Sequence, residues 1–266
     1  MRQLRQPRLA EMVAASLRDD ILTGKLKEGD SLPRQEHLFE EFQVSLPAVR
    51  EAMRILETEG LISVRRGNVG GAVVHLPSPE STARMISMVL QVRNTTLGDV
   101  SGALLHMEPV CAGLCAARED RETEVVPHLR AALEKQQENF DDLATWTPLA
   151  RQFHEAIVET CGNETMKIVI GSLESIWSAH ESTVWADATL INRYQDDPDS
   201  PTARKSRRAA IRDHEKLLAA IESGNEEKAT QIASAHMAAT RSTTLASSAS
   251  DQVTANLLYA FDRISR

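Results

Sequence analysis

The sequence predicts a mainly α protein in two parts: a small front unit of short helices closed by a β-hairpin, and a larger all-helical bundle behind it. Three observations predict this. Apolar residues recur at helical spacing over nearly the whole chain. Strand-like runs occur only between Leu61 and His75. The stretch "LPSPEST" (76–82), with two prolines and small polar residues, has the composition of a linker and separates the two patterns.

From Leu9 to Leu22, residues Leu9, Met12, Val13, Leu17 and Ile21 fall on one helical face, and Gly24 closes that helix. "LKEGDSLP" (26–33) reads as a turn. Gln35 to Phe42 repeats the helical pattern through Leu38, Phe39 and Phe42, and Gln43 with Val44 makes a tight turn. Ser45 has the hydroxyl of an N-cap, which accepts an orphan backbone N–H, and Pro47 fits a first turn where a lost N–H costs little. The helix they open turns Val49, Met53 and Leu56 inward and Arg50, Glu51 and Arg54 outward, and it stops at Gly60. "LISVR" (61–65) and "GAVVH" (71–75) read as strands around the glycine-bearing "RGNVG" (66–70). Beyond the linker, helical patterns cover about 82–94, 98–120, 122–138, 144–160, 164–186, 203–222, 225–245 and 250–264, with one long loop over 187–202. The domains expected are 1–76, a linker 77–84, a helical domain 85–246 and a C-terminal helix 247–266.

The chain has 266 residues, 42% of them apolar, which is enough for a sizeable core. No apolar run has the length of a membrane span, and no signal-peptide core follows the basic start, so a cytoplasmic protein without a membrane partner is expected. Cys111, Cys115 and Cys161 form no CxxC pair and suit small buried side chains in a reducing compartment. Residues 1–75 carry 11 Lys/Arg against 11 Asp/Glu, so the remainder carries the net charge of −8. A neutral front unit with clustered arginines can approach a polyanion that the acidic remainder would repel.

Two short helices, a tight turn and a basic hairpin are the parts of a duplex-DNA reader. A helix fits the major groove, and a ribbon follows phosphates or the minor groove. The candidate DNA-binding residues are Arg34, Ser45, Arg50 and Arg54, with Arg65, Arg66 and Asn68 on the hairpin. The stretch "LPRQEHLFEEFQVSLPAVREAMRILETEGLISVRRGNVGGAVV" resembles the winged helix-turn-helix domain of GntR-family transcription regulators, over about residues 9–75. The shared marks are "LP" before a helix, "VS" shortly before "VREA", and a basic glycine wing. Several positions depart from that pattern. Arg34-Gln35-Glu36 stands where the family has Ser-Glu-Arg, Leu46 follows Ser45 where an arginine is usual, and Pro47 lies one residue early. Base readout is therefore expected to shift to Arg34, Ser45, Arg50 and the wing.

Three histidines lie in apolar helical contexts behind the linker. His154 sits in "RQFHEAIVETCGN". His214 and His236 stand 22 apart on two helices joined by the short "SGN" connection (223–225). His214 shares a face with Leu217, Leu218 and Ile221, and His236 with Ile232, Ala233 and Ala239. Imidazoles in an apolar bundle need a partner, and three neutral rings suit zinc, nickel or a similar divalent ion. The pattern "FHEAIVETCGN" followed by "HEKLLAAIESGNEEKATQIASAH" resembles the FCD effector domain of the FadR subfamily, over roughly 82–245. That resemblance implies a helical bundle holding a divalent metal and a small organic-acid or acyl-type effector, in a homodimer. It also implies an Asp ligand four residues before the first histidine, where this chain has Ala150. The arginine usual shortly before Glu108 is absent too, with Leu104, Leu105 and His106 in its place. Glu108, Arg151, Trp177 and His180 are the candidate effector-pocket residues, and His37, His75 and His128 read as surface residues.

The function expected is a ligand-responsive repressor that reads a palindromic operator as a homodimer, with no catalytic residues. Two alternatives remain open at this point. A three-histidine metal with a vacant position could activate water in a hydrolase, although no nucleophile motif or phosphate loop accompanies it. A constitutive DNA-binding protein would need no pocket at all.

Overall fold

The computed structural model describes residues 9–65, 71–186, 201–244 and 251–256. The chain divides into two compact units, Met1–Ser81 and Thr82–Arg266.

In the first unit, α1 (Leu9–Leu22) buries Ala10, Val13, Ala14, Leu17 and Ile21 on one face. It packs on α3 (Leu46–Thr58), which buries Val49, Ala52, Met53 and Leu56, and α2 (Gln35–Phe42) inserts Leu38 beside them. Each buried Val, Leu, Ile or Met side chain contributes about 1.5–3 kcal/mol on leaving water, so this face fixes the helices. Ser45 caps α3: its Oγ accepts from the Ala48 N–H at 3.4 Å, and Pro47 occupies the first turn. The turn between α2 and α3 places Gln43 at φ +50°. A side chain there costs about 1–2 kcal/mol relative to glycine. Strands β1 (Ile62–Arg65) and β2 (Gly71–Val74) pair antiparallel, with Ile62 opposite Val74 and Arg65 opposite Gly71. The stretch 26–33, expected as a plain turn, does more. Leu32 N donates to Ala72 O at 2.8 Å and Val74 N to Asp30 O at 2.8 Å, so residues 29–32 add an edge to the hairpin. His75 is not a simple surface residue. It is half-buried, with Nδ1 3.0 Å from Glu28 Oε1 and Nε2 2.8 Å from Ser63 Oγ.

The expected linker 77–84 is helical from Pro79, because α4 (Pro79–Val92) begins inside it. Proline at a helix start loses no hydrogen bond. The second unit is otherwise built from α5 (Leu97–Ala117), α6 (Arg121–Glu124), α7 (Val126–Glu138), α8 (Leu143–Thr160), α9 (Glu164–Ala186), α10 (Pro201–Glu222) and α11 (Glu226–Thr244). The pattern read as one helix over 122–138 is two, broken at Val125 just before Pro127. Helix α5 is long and apolar enough to cross a membrane by composition. It is instead the central helix, packed by α8, α9, α10 and α11. Gly113 shows how closely α11 approaches, since a Cβ there would lie 2.5 Å from Thr230 Oγ1. Cys111, Cys115 and Cys161 are buried, unpaired thiols in this core.

Of the expected C-terminal helix 250–264, residues 251–254 are not helical. Residues 251–254 run extended along the start of α5, with Leu97 N donating to Asp251 O at 2.8 Å and Val253 N to Thr95 O at 3.0 Å. Buried Val253 and Ala255 supply the apolar contact that holds them there. The rest of that pattern, and the loop expected over 187–202, fall mostly outside the described residues.

Candidate functional site

Three helices bring the histidines together. On α8, His154 is a neighbour of the buried Phe153 and one turn before Ile157 and Val158. On α10, His214 precedes Leu217, Leu218 and Ile221 at helical spacing, and all three are buried. On α11, Ala229, Ala233 and His236 form one buried stripe. Gly224, at φ +70°, lets the chain reverse between α10 and α11, which sets His236 beside His214.

The three rings converge through the same nitrogen. His214 Nε2 lies 3.2 Å from His154 Nε2 and 3.2 Å from His236 Nε2. One nitrogen from each ring lies within 4.8 Å of the other two. Each Nδ1 faces an oxygen on the opposite side. His154 Nδ1 meets Glu108 from α5, His214 Nδ1 is 2.8 Å from Gln136 Oε1 on α7, and His236 Nδ1 is 3.7 Å from Asp213 Oδ2. Phe153 stacks on the His214 ring at 4.2 Å and 12°. His214 is 1% exposed and Gln136 fully buried.

Electrostatics keep two of the rings neutral. Burial, then the neighbouring rings His154 and His236, hold the His214 pKa well below its ordinary value. Burial and His154 pull His236 down to about 4. For His154 burial also disfavours charge, but the charge and hydrogen bond of Glu108 outweigh it and its pKa is raised.

This arrangement fits a divalent ion. With each Nδ1–H turned toward its oxygen, three Nε2 lone pairs point into one space. A proton on His154 could relieve one of the two 3.2 Å contacts but not both. Nitrogen ligands at about 2.0–2.1 Å from one tetrahedral ion sit about 3.4 Å apart, close to the spacing found. The oxygens of Glu108, Gln136 and Asp213 are the outer partners that fix such rings and raise their basicity.

The other expected pocket residues fall out differently. Glu108 is buried and serves His154 directly. Ala150 presents only a methyl one turn before His154. Arg151 is half-buried, and burial lowers its pKa against the pull of Glu155 and Glu174. Trp177 packs between two apolar clusters. Both ring nitrogens of His180 are taken by backbone: Nδ1 contacts Ile176 O at 2.7 Å, and Nε2 accepts from Thr254 N at 2.9 Å. Gln136, Asp213 and Glu174 were not among the expected residues. Asp213 carries a signal in its place beside His214, whereas Gln136 and Glu174 carry none.

On the front unit, Arg34, Ser45, Arg50 and Arg54 are all exposed. Arg34 stands at the start of α2 without capping it through its side chain. Arg50 Nε donates to Gln35 Oε1 at 3.3 Å, and Arg54 makes a two-pronged pair with Glu51 at 2.9 and 3.0 Å. Arg65 ends β1. Arg66 and Asn68 lie outside the described residues.

Comparison with known proteins agrees with both halves. Residues 9–73 match the family described as bacterial regulatory proteins, gntR family, and residues 99–239 match the FCD domain. The HTH-type transcriptional repressor NanR of Klebsiella aerogenes is 30% identical over 167 residues, which are 61% of this chain and 62% of that protein. NanR of Salmonella newport is 28% identical over 187 residues, 68% of this chain and 70% of its own. Among solved structures, Streptococcus agalactiae GntR superposes with a TM-score of 0.65 at 19% identity, covering 88% of this chain and all of the other.

Proposed function

Because this chain belongs to the gntR family of bacterial regulatory proteins and carries an FCD domain, we propose that it is a homodimeric transcription repressor whose helical domain binds a divalent metal and a small organic-acid effector. It is a DNA-binding regulator rather than an enzyme, and the hydrolase alternative lapses with that assignment. The single observation that supports the sensing role is the convergence of three Nε2 atoms, with the Nδ1 of His154 and His214 engaged by Glu108 and Gln136 and that of His236 facing Asp213. His154, His214 and His236 hold zinc or nickel in this reading, and Glu108, Gln136 and Asp213 orient them. The ion, when bound, supplies an electrophilic position for an effector carboxylate. The small side chain of Ala150 leaves room there where an Asp ligand would otherwise sit.

The front unit reads double-stranded DNA through Arg34, Ser45, Arg50 and Arg54, with Arg65, Arg66 and Asn68 from the hairpin. A two-fold dimer requires a palindromic operator. The effector shifts DNA affinity only by as much as it prefers one dimer state over the other. A protein acting on bacterial DNA in this way works in the cytoplasm.

Elemental analysis of the purified full chain tests the metal, and selection from random duplexes tests the operator. We expect one zinc or nickel per chain, absent from His214→Ala, and enrichment of a two-fold symmetric sequence. Metal retained equally by His214→Ala would refute the assigned ligands. Selection that enriches no sequence would refute the regulator role.

A further inference from the structure

The hairpin of the first unit joins a hydroxyl, an imidazole and a carboxylate in series. Ser63 Oγ on β1 lies 2.8 Å from His75 Nε2, and His75 Nδ1 lies 3.0 Å from Glu28 Oε1. The strand register sets the first contact. Ser63 pairs with Val73, and His75 N donates to Leu61 O at 2.8 Å, so residues 61, 63, 73 and 75 share one face of the ribbon. The edge segment sets the second contact. Gly29 N donates to Val74 O at 3.0 Å, which brings Glu28 alongside the end of β2. Its carboxylate is held from two sides, with Oε2 accepting from Leu76 N at 2.5 Å.

These contacts fix the direction of the hydrogen bonds. A carboxylate only accepts, so Nδ1 carries the ring proton and donates to Glu28. Nε2 of the neutral ring then offers a lone pair, and the Ser63 hydroxyl donates to it. Nucleophile, base and orienting acid thus stand in the order that activates a serine. Ser63 and His75 are both half-buried, so a small reagent reaches the hydroxyl while its partner stays ordered. Any polar side chain at position 75 could fasten the hairpin. An imidazole turned by a carboxylate, with its basic nitrogen on a hydroxyl, also supplies a proton acceptor.

We propose that Ser63 is a site of covalent acylation by an activated acyl ester, with His75 as its general base and Glu28 as the residue that positions His75. Ser63 Oγ attacks the carbonyl carbon while its proton passes to His75 Nε2. The bond from that carbon to the leaving oxygen or sulfur then breaks. The leaving atom keeps the electron pair and takes the proton from Nε2, which returns the ring to its neutral form. The product is one acyl-serine per chain, a modification of the regulator rather than a turnover. A phosphoryl donor fits less well, because its charged oxygens need cations and the carboxylate of Glu28 stands beside the base. A neutral carbonyl carbon has no such need.

Brief treatment of the full chain with p-nitrophenyl acetate, or with the neutral thioester S-acetyl-N-acetylcysteamine, followed by peptide mapping in the mass spectrometer, tests this. We expect Ser63 to acquire the acetyl group about 100-fold faster than the exposed Ser16 and Ser45, the scale of general-base assistance. His75→Gln should abolish that advantage. Glu28→Gln should slow Ser63 while leaving the rates at Ser16 and Ser45 unchanged, which a merely structural role for Glu28 would not do. Preferential label from either donor supports the acylation site, and the donor that reacts identifies its class as oxygen ester or thioester. Ser63 reacting no faster than Ser16 and Ser45 with both donors would overturn it. So would an advantage that survives His75→Gln in a chain that melts as the parent does. If His75→Gln melts early, Glu28→Gln decides, and an unchanged Ser63 rate there would overturn the relay.

Discussion

Acidifying the metal-free protein should destabilise the helical unit, and His236 sets the scale. Its folded pKa is about 4, against about 6.5 for an unfolded histidine. Between those values the unfolded chain binds a proton that the folded chain refuses. The stability it provides is present above pH 6.5 and is lost as pH falls through 4. From pH 7 to pH 5 the loss from this ring alone is about 2 kcal/mol. His214, also depressed, shifts in the same direction. His154 is raised and opposes them: its contribution is complete below the unfolded pKa and fades as pH rises through its folded value. The assay is urea unfolding at pH 7 and pH 5 after chelation, followed by tryptophan fluorescence. Trp146, Trp177 and Trp185 all lie in the second unit, so the signal reports that unit alone. His236→Gln should lose its share of the pH dependence and keep the share that His214 carries. Equal pH dependence in the parent and in His236→Gln would refute the reasoning.

Two further outcomes follow from the packing. Arg50→Ala should weaken operator binding by about 1–3 kcal/mol, the range of a good base contact, while Arg54→Ala, whose guanidinium is engaged by Glu51, should cost less. Fluorescence anisotropy at matched salt checks the order, and the reverse order would remove the groove role assigned to Arg50. Gly113→Ala should destabilise the bundle by about 1–3 kcal/mol through overpacking, because its Cβ meets Thr230 Oγ1 at 2.5 Å. Thr230→Ala should restore part of that loss in thermal melting.

The front unit was legible because local chemistry dictates it. Ser45 and Pro47 announce a helix start, and the alternation in "LISVR" and "GAVVH" announces strands. The missed edge at residues 29–32 has no such signal. It forms through backbone pairing with Ala72 and Val74, and backbone groups carry no sequence pattern. The same holds at residues 251–254. Their sequence continues an amphipathic pattern, but backbone bonds to Thr95 and Leu97, with Val253 and Ala255 buried, outweigh local helix propensity.

The histidine centre divides along a similar line. Two of its rings were linked in sequence by a connection too short to separate their helices, so their meeting could be inferred. The oxygens that aim the rings could not. Glu108 lies 46 residues from His154, and Gln136 lies 78 from His214, on helices whose order around α5 only tertiary packing decides. Gln136 is also a residue type that ordinarily belongs at the surface. Buried here, it has its oxygen on His214 and an amide nitrogen without a partner among the described residues, a cost that simple core packing does not explain. A leucine at that position would stabilise an ordinary bundle. An amide that selects the His214 tautomer, and so keeps Nε2 free to coordinate, accounts for the residue that is present. On that account Gln136→Leu should leave the metal-free fold as stable or more so, while weakening zinc binding by about 10–100-fold, the usual effect of losing an outer partner.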